Sequence, residues 1–451
     1  MEEKMEDILV ELRGFLERGD RQGVLGLLAD LHASDIGRIL TELEETEAIR
    51  VFRMMPADLA SEVILEMDER LRVSLIDAIT PGELIGVVDE METDDAADII
   101  SELPPADARQ VLDGIAPEGS IEVEKLLVYP EDTAGGKMQA ELISVPEDAT
   151  VDSAIEEVRR KAADMENVSN VFVVDHQRRL VGVVPLTKLI LAGPGVSIRE
   201  IADKDPVKVS TDLDQEEVAR IFQKYDLISM PVVDREDHLV GRITIDDVVD
   251  VIEEEIFEDF YKMAGLNVEE RVLDPPSKAI WMRLPWLLVN LATVFVAASV
   301  VKVFQGTIEK LVLLAVLMPT VAALGGNAGT QAITVVVRGL ALGELELKNA
   351  RKVIVKEALV GLANGFLIGL VAIAISYLLG GNFVVGLLLF MAMAINLVIA
   401  GLSGAFIPLV LKWLHVDPAI SSSIFVTTCT DIGGFLIFLG LASVFMGMGL
   451  L

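Results

Sequence analysis

Apolar residues change their spacing three times along this chain of 451 residues. Between about residues 24 and 116, a Pro or Asp repeatedly opens a stretch whose apolar positions then recur at helical spacing. The openings are His32-Ala-Ser-Asp35, Pro56-Ala-Asp58, Pro81-Gly-Glu83, Thr93-Asp-Asp95 and Pro105-Ala-Asp107. Ile36, Ile39, Leu40 and Leu43 make one such face, and Ala97, Ile99, Ile100 and Leu103 another. The pattern predicts short amphipathic helix pairs stacked as a small superhelix, an N-terminal domain over 1–137. Pro suits the first turn, because the N–H it lacks would be unpaired there anyway.

From Met138 the pattern shifts to short β-branched runs alternating with helices, and it does so twice over 138–252. The first copy reads Ile143-Ser-Val145, a helix over 151–161, Val171-Phe-Val-Val174, a turn, and Leu180-Val-Gly-Val-Val184. The second reads Val207-Lys-Val209, a helix over 215–225, Met230-Pro-Val-Val-Asp234, a turn, and Leu239-Val-Gly-Arg-Ile-Thr244. This internal repeat predicts α+β modules. A connecting helix over 253–278 follows, broken at Asp274-Pro-Pro276. Five apolar segments then occupy 279–451, at about 280–304, 311–337, 358–379, 383–411 and 419–451. All are long enough to cross a bilayer.

Charge separates these two halves. Six acids and nine bases lie from Ala279 onward, so the 71 acidic and 37 basic residues of the chain leave 65 and 28 before it, a net −37. Such a region repels nucleic acid and anionic lipid and attracts cations. Lys278 and Arg283, then Arg338, Lys348, Arg351, Lys352 and Lys356, then Lys412 flank alternate ends of the spans. Only Lys302 and Lys310 fall on the other side, and the Gly380-Gly-Asn382 turn and the C-terminus carry no charge. The positive-inside rule therefore places the acidic region in the cytoplasm and the C-terminus outside, in a multi-pass cell (inner) membrane protein. The N-terminus is polar without an apolar h-region, so insertion is expected to rely on the C-terminal segments. The single cysteine, Cys429, has no internal partner for a disulfide.

Asp431 is the only acid or base in the last apolar segment. An ionised Asp at mid-bilayer costs about 2.5 to 3.5 kcal/mol on insertion scales, so it calls for a wet path or a partner. Thr427 lies one helical turn before it, and together they form an oxygen-only group suited to a hard cation. The alternative is a hydrogen bond from Asp431 to Thr427, Thr428 or Thr430 that glues helices together. Gly325-Gly-Asn-Ala-Gly-Thr-Gln331 is no phosphate loop, since it lacks the following Lys and a preceding strand. It reads either as a close helix contact or as an unwound turn lining a cavity.

A second acidic run, Asp246, Asp247, Asp250, Glu253, Glu254, Glu255, Glu258 and Asp259, meets no base until Lys262. Like charges at i,i+3 and i,i+4 each cost a helix about 0.2 to 0.5 kcal/mol, so a divalent cation there would relieve the helix. A solvated connecting helix is the alternative, and the same two readings apply to Asp89, Glu90, Glu92, Asp94, Asp95 and Asp98. His32, His176 and His238 read as surface residues. No His or Cys cluster favours a transition metal, and no enzyme signature is present.

The tandem copies resemble a pair of CBS domains, which often bind adenine nucleotides through a hydroxyl and an acid after the last strand. Thr244 with Asp246 or Asp247 matches that pattern, whereas the first copy has Pro185 and Thr187 and no acid. The whole order of segments resembles the MgtE magnesium channel family. Carrying it are Tyr129-Pro-Glu-Asp-Thr-Ala-Gly-Gly136, the run 319–331, Arg338-Gly-Leu-Ala-Leu-Gly-Glu344 and Thr430-Asp431.

That resemblance implies a homodimer with a pore on its two-fold axis, Asp431 of each subunit at the pore ion site, and cytoplasmic acids that sense Mg2+. Expected metal positions are Asp431 and Thr427 in the pore, and Asp89, Asp94, Asp95, Asp226, Asp247, Asp250, Glu254, Glu258 and Asp417 outside it. Asn327, Gln331 and Thr430 are expected to line the path. An ion shared by Glu258 and Asp417 is the expected latch between connecting helix and pore. Mg2+ and an adenine nucleotide such as ATP are the expected ligands; lipid and other divalent cations, but no nucleic acid, are the expected partners. Two alternatives stand: an exchanger coupling Mg2+ to Na+ or H+, and a membrane-anchored nucleotide sensor.

Overall fold

The computed structural model describes residues 2–451 apart from 163, 164, 166, 273, 379–381 and 421. The chain forms two compact units, Met1–Ile252 and Glu253–Leu451.

In the first unit the repeated openings do start helices. Pro56 precedes Ala57–Leu65, while Pro81 and Pro105 begin Pro81–Val88 and Pro105–Gly114. Thr80 and Glu83 cap the second of these reciprocally: the Glu83 amide donates to Thr80 Oγ1 and the Thr80 amide to Glu83 Oε2. His32 lies on the surface and caps Ala33–Thr41 by accepting from the Ser34 amide. Helices also run outside the expected repeat, at Glu2–Arg18 and Pro117–Leu126. Ile36, Ile39, Leu40, Ala97, Ile99 and Ile100 are buried, and the core they join continues into Met230, Val232, Ile243 and Val248 of the second α+β copy.

Each copy holds a three-stranded sheet. In the first, β1 (Ser144–Pro146) pairs parallel with β2 (Asn170–Val174), which pairs antiparallel with β3 (Leu180–Pro185). In the second, β4 (Val209–Ser210), β5 (Ser229–Val233) and β6 (Leu239–Thr244) repeat that order. The intervening helices, Val151–Lys161 and Gln215–Tyr225, have the bounds that apolar spacing indicated. The 129–136 stretch docks on the second copy, its Ala134 and Gly135 amides donating to the Leu213 and Thr211 carbonyls at 2.7 and 3.0 Å.

The helix Ile245–Ala264 ends earlier than the Asp274-Pro-Pro276 break suggested. Gly265 adopts φ +71°, and the Leu266 amide closes the helix by donating to the Tyr261 carbonyl at 2.9 Å. Pro276 instead opens the first span. In the second unit five helices are long and apolar enough to cross a membrane: Pro276–Val303, Leu313–Ala341, Leu347–Leu378, Phe383–Trp413 and Ser423–Gly447. The third begins before its expected start at Ala358. The fourth is the most buried of the five and the first the most exposed. The Gly380–Gly381 turn falls outside the described residues.

Candidate cation sites

Asp431 sits mid-way along the fifth span, half-buried, in an unbroken helix that stacks it one turn after Thr427. The threonines around it are otherwise engaged. Thr427 donates to the Ser423 carbonyl at 2.9 Å, Thr428 to Ile424 at 2.6 Å and Thr430 to Thr427 at 2.9 Å. Among the described residues the Asp431 carboxylate makes no hydrogen bond, so the helix-glue alternative finds no bond to rest on.

The glycine-rich stretch is helical throughout, which removes the unwound-turn alternative. Its glycines press the second span against the fourth and fifth. A Cβ at Gly325 would stand 2.3 Å from Asn396 Nδ2 and 3.2 Å from Thr430 Cβ. Thr430 is accordingly wholly buried between helices instead of lining a path, a correction to its expected role. Asn327 and Gln331 are exposed, one turn apart on the outward side of the second span. Hydrocarbon offers such groups no hydrogen bonds, so that side requires water or protein against it.

The second cluster joins the helix Ile245–Ala264 to the loop before the fifth span. Asp417 Oδ1 accepts from the Ala419 amide at 2.8 Å, and its Oδ2 from Lys262 Nζ at 2.7 Å. Lys262 also pairs with Glu258, one turn earlier. An ammonium thus stands where a shared ion was expected. Next to it, Ser423 Oγ donates to the Met263 carbonyl at 2.7 Å, and Met263 packs against the cluster of Ile333, Val337, Ala419 and Val426. Glu254 lies exposed on the same helix.

The third cluster lies inside the first unit, where the helix Thr93–Ser101 meets the second α+β copy. Thr93 Oγ1 donates to Glu141 at 2.7 Å and accepts from the Ala140 amide at 2.9 Å; Gln139 Nε2 donates to Glu92 at 2.7 Å. Asp94 is 6% exposed, and its Oδ1 has no hydrogen-bond partner. Burial, then the charges of Asp247, Asp95 and Glu92, pushes its carboxyl well above the usual range. Burial also raises Asp247 to about 6, against the pull of the Thr244 hydroxyl and with a push from Asp246 and Asp250. Hard carboxylate oxygens thus converge on one seam with an unpaired Asp94 oxygen among them, a donor set that fits Mg2+.

Other expected residues have local duties. Asp89 is exposed and accepts from the Ala116 amide at 2.6 Å, ahead of Pro117–Leu126. Asp226 is exposed and ends Gln215–Tyr225 at φ 51°. Thr244 is buried and donates to Asp247 at 2.6 Å, whereas Asp246 accepts from Asn167 Nδ2 at 2.7 Å. Of the two acids named beside Thr244 for a nucleotide, Asp247 is thus bonded to it and Asp246 faces Asn167. Sequence reading missed Gln139, Glu141 and Arg242. Arg242, the lone base inside an otherwise apolar strand, was the available signal: it is 3% exposed and lies 3.8 Å from Glu92.

Comparison with known proteins agrees along nearly the whole chain. The family described as "Divalent cation transporter" (MgtE) matches residues 318–441, "MgtE intracellular N domain" matches 31–132, and "CBS domain" matches 135–195 and 198–254. "Magnesium transporter MgtE" of Thermus thermophilus is 34% identical over 451 residues, covering 98% of both chains. The protein of that name from Bacillus subtilis is 29% identical over 441 residues, again 98% of each. The solved cytosolic domain of "the Mg2+ channel MgtE in complex with ATP" is 36% identical with a TM-score of 0.51, covering 54% of this chain and 99% of that one. With an N-terminal helical domain, a CBS pair and five apolar helices, this chain belongs to the MgtE family of magnesium transporters.

Proposed function

We propose that the chain is a homodimeric Mg2+-selective channel for magnesium uptake, closed by cytoplasmic Mg2+ at its acidic seams. The observation that carries this reading is Asp431, an intramembrane carboxylate with no hydrogen bond among the described residues, on a bundle whose second span exposes Asn327 and Gln331. A two-fold partner would pair the carboxylates and shield the polar side from lipid. Mg2+ dehydrates reluctantly, so two carboxylates and its own waters suffice to hold it, and Thr427, Asn327 and Gln331 supply polar groups for its water shell.

In this reading Asp94 and Asp95 of the N-terminal domain and Asp247 and Asp250 of the CBS pair bind ions that draw the acidic domains together. Glu254 and Glu258 add acids along the connecting helix and Asp417 one before the fifth span, while Asp89 and Asp226 add charge to the N-terminal domain and the CBS pair. Moving a gate from 1:99 to 99:1 takes about 5.5 kcal/mol of preference for the closed form, which several ions supply jointly. The N-terminal domains and the Lys348 loop face the cytoplasm and the C-terminus faces outward. ATP binds the CBS region, a reading supported by the ATP complex of the 36% identical cytosolic domain.

Magnesium flux into liposomes containing the purified chain, with internal Mg2+ and the external divalent series varied, tests the reading. Unitary currents that fall as cytoplasmic Mg2+ rises are expected. Flux without unitary current that requires a Na+ or H+ gradient would make Asp431 an exchanger's coupling group instead.

A further inference from the structure

Lys262 is the only base in the helix Ile245–Ala264. Its ammonium touches two carboxylates on different elements, Glu258 on its own helix and Asp417 ahead of the fifth span, the latter at 2.7 Å. The three side chains are only 26% to 31% exposed, so water screens them incompletely. Directly beside this group, the Ser423–Met263 hydrogen bond and the packing of Met263 hold the end of the helix to the start of the span.

We propose that Lys262 is a positioning residue that serves as a tethered cation. It occupies the point between Glu258 and Asp417 that a bridging divalent ion would take, and holds the connecting helix against the fifth span without metal. The proposal rests on the reading above only in treating this joint as the fixed link that passes magnesium-driven movement of the acidic domains to the fifth span. The chemistry follows from charge and size. One ammonium offsets one of the two carboxylate charges, whereas Mg2+ offsets both, and the two cations repel each other at this spacing. Magnesium must therefore displace Lys262 to bind here. In the parent the joint is held at all magnesium levels and responds weakly to the ion. Without Lys262 the two carboxylates repel, the joint loosens, and metal restores it.

Spin labels at the exposed Phe260 and Val416 of the full-length chain in liposomes, with labelled subunits diluted by unlabelled ones, report the joint directly. In the parent the Phe260–Val416 distance is expected to be the same with chelator and with Mg2+. In Lys262→Met the detached population in chelator should rise roughly two- to fivefold, the worth of partly exposed ion pairs, and return to the parent distance on adding Mg2+. Lys262→Arg, which keeps the charge, should behave as the parent. An unchanged distance in Lys262→Met under chelator, or detachment in Lys262→Met that Mg2+ does not reverse, overturns the proposal. Equal detachment in Lys262→Arg does so too, by assigning the effect to packing. Parent liposomes that show no magnesium-dependent closure of flux would defeat the gating reading alone, because the distance measurement reads Lys262 independently of flux.

Discussion

Asn396, wholly buried in the fourth span, donates from Nδ2 to the Val321 carbonyl of the second span at 3.0 Å. Gly325, one turn after Val321, is what leaves room for that amide. The bond lies against the fifth span as well, since a Cβ at Gly434 would come within 2.8 Å of the same nitrogen. Three spans thus meet at one amide, a few residues from the helix position that carries Asp431.

Two adjacent glycines should therefore behave differently. Gly325→Ala forces Asn396 to move and gives up its bond, at a cost of about 1 to 3 kcal/mol. Gly326→Ala meets only Thr427 Cγ2, at 3.6 Å, which is ordinary contact. Thermal unfolding of the two variants in detergent compares them, and equal melting temperatures would refute the clamp.

Asp431→Asn keeps the side chain's shape and removes its charge. Magnesium flux is expected to fall roughly tenfold or more at matched expression, because a hydrated dication then meets no carboxylate inside the span. Asp431→Ala should do the same without impairing insertion. Parent-like conduction by both would end the pore-site assignment.

Topology is open to labelling in a Cys429→Ser background. Lys348→Cys should react from the cytoplasmic side and Met448→Cys, exposed near the end of the fifth span, from outside. Reaction of both from the same side contradicts the orientation.

Local patterns were legible and long-range partners were not. Ile36, Ile39 and Ile100 declared their burial by spacing, and the helix 215–225 its ends, because periodicity records which side faces a core. Asp431 stood out as a candidate because a charge near the middle of a span is costly whatever its long-range partners. Lys262 and Asp417 lie 155 residues apart, so their pairing left no local trace. Thr430 looked like a pore residue for the same reason. Its neighbour carries the charge, but only the packing of Gly325 and Gly329 against it shows that it points inward. The connecting helix stops at Gly265 and not at the Asp274-Pro-Pro276 break, because a single left-handed residue suffices to end a helix before any proline is reached.

The seam between Asp94 and Asp247 should respond to protons and magnesium in opposition. Among the described residues the groups that face it include the acids Glu92, Asp95, Asp246 and Asp250, Glu141 held by Thr93, the hydroxyl of Thr244, and the base Arg242 near Glu92. Both central acids have raised values in the folded chain, so between the ordinary 3.8 and about 6 the folded seam holds protons that the unfolded chain releases. Stability of the docked seam therefore increases as pH falls through about 6, and is lost as pH rises through it. Magnesium needs the carboxylates ionised, so its effect runs the other way and fades over the same interval. At 100 times its dissociation constant an ion bound only to the docked form adds about 2.7 kcal/mol. Hydrogen exchange of the amides in Thr93–Ser101, followed in the full-length chain, reads this locally. At pH 7.5 magnesium should slow exchange strongly, and at pH 5 only slightly. Asp94→Asn replaces a buried carboxyl set among like charges with a neutral amide, so at pH 7.5 it should slow exchange without metal by the equivalent of about 1 to 2 kcal/mol and blunt the response to magnesium. Faster exchange in metal-free Asp94→Asn, together with an intact magnesium response, would show that Asp94 is held by partners of its own and does not wait for an ion.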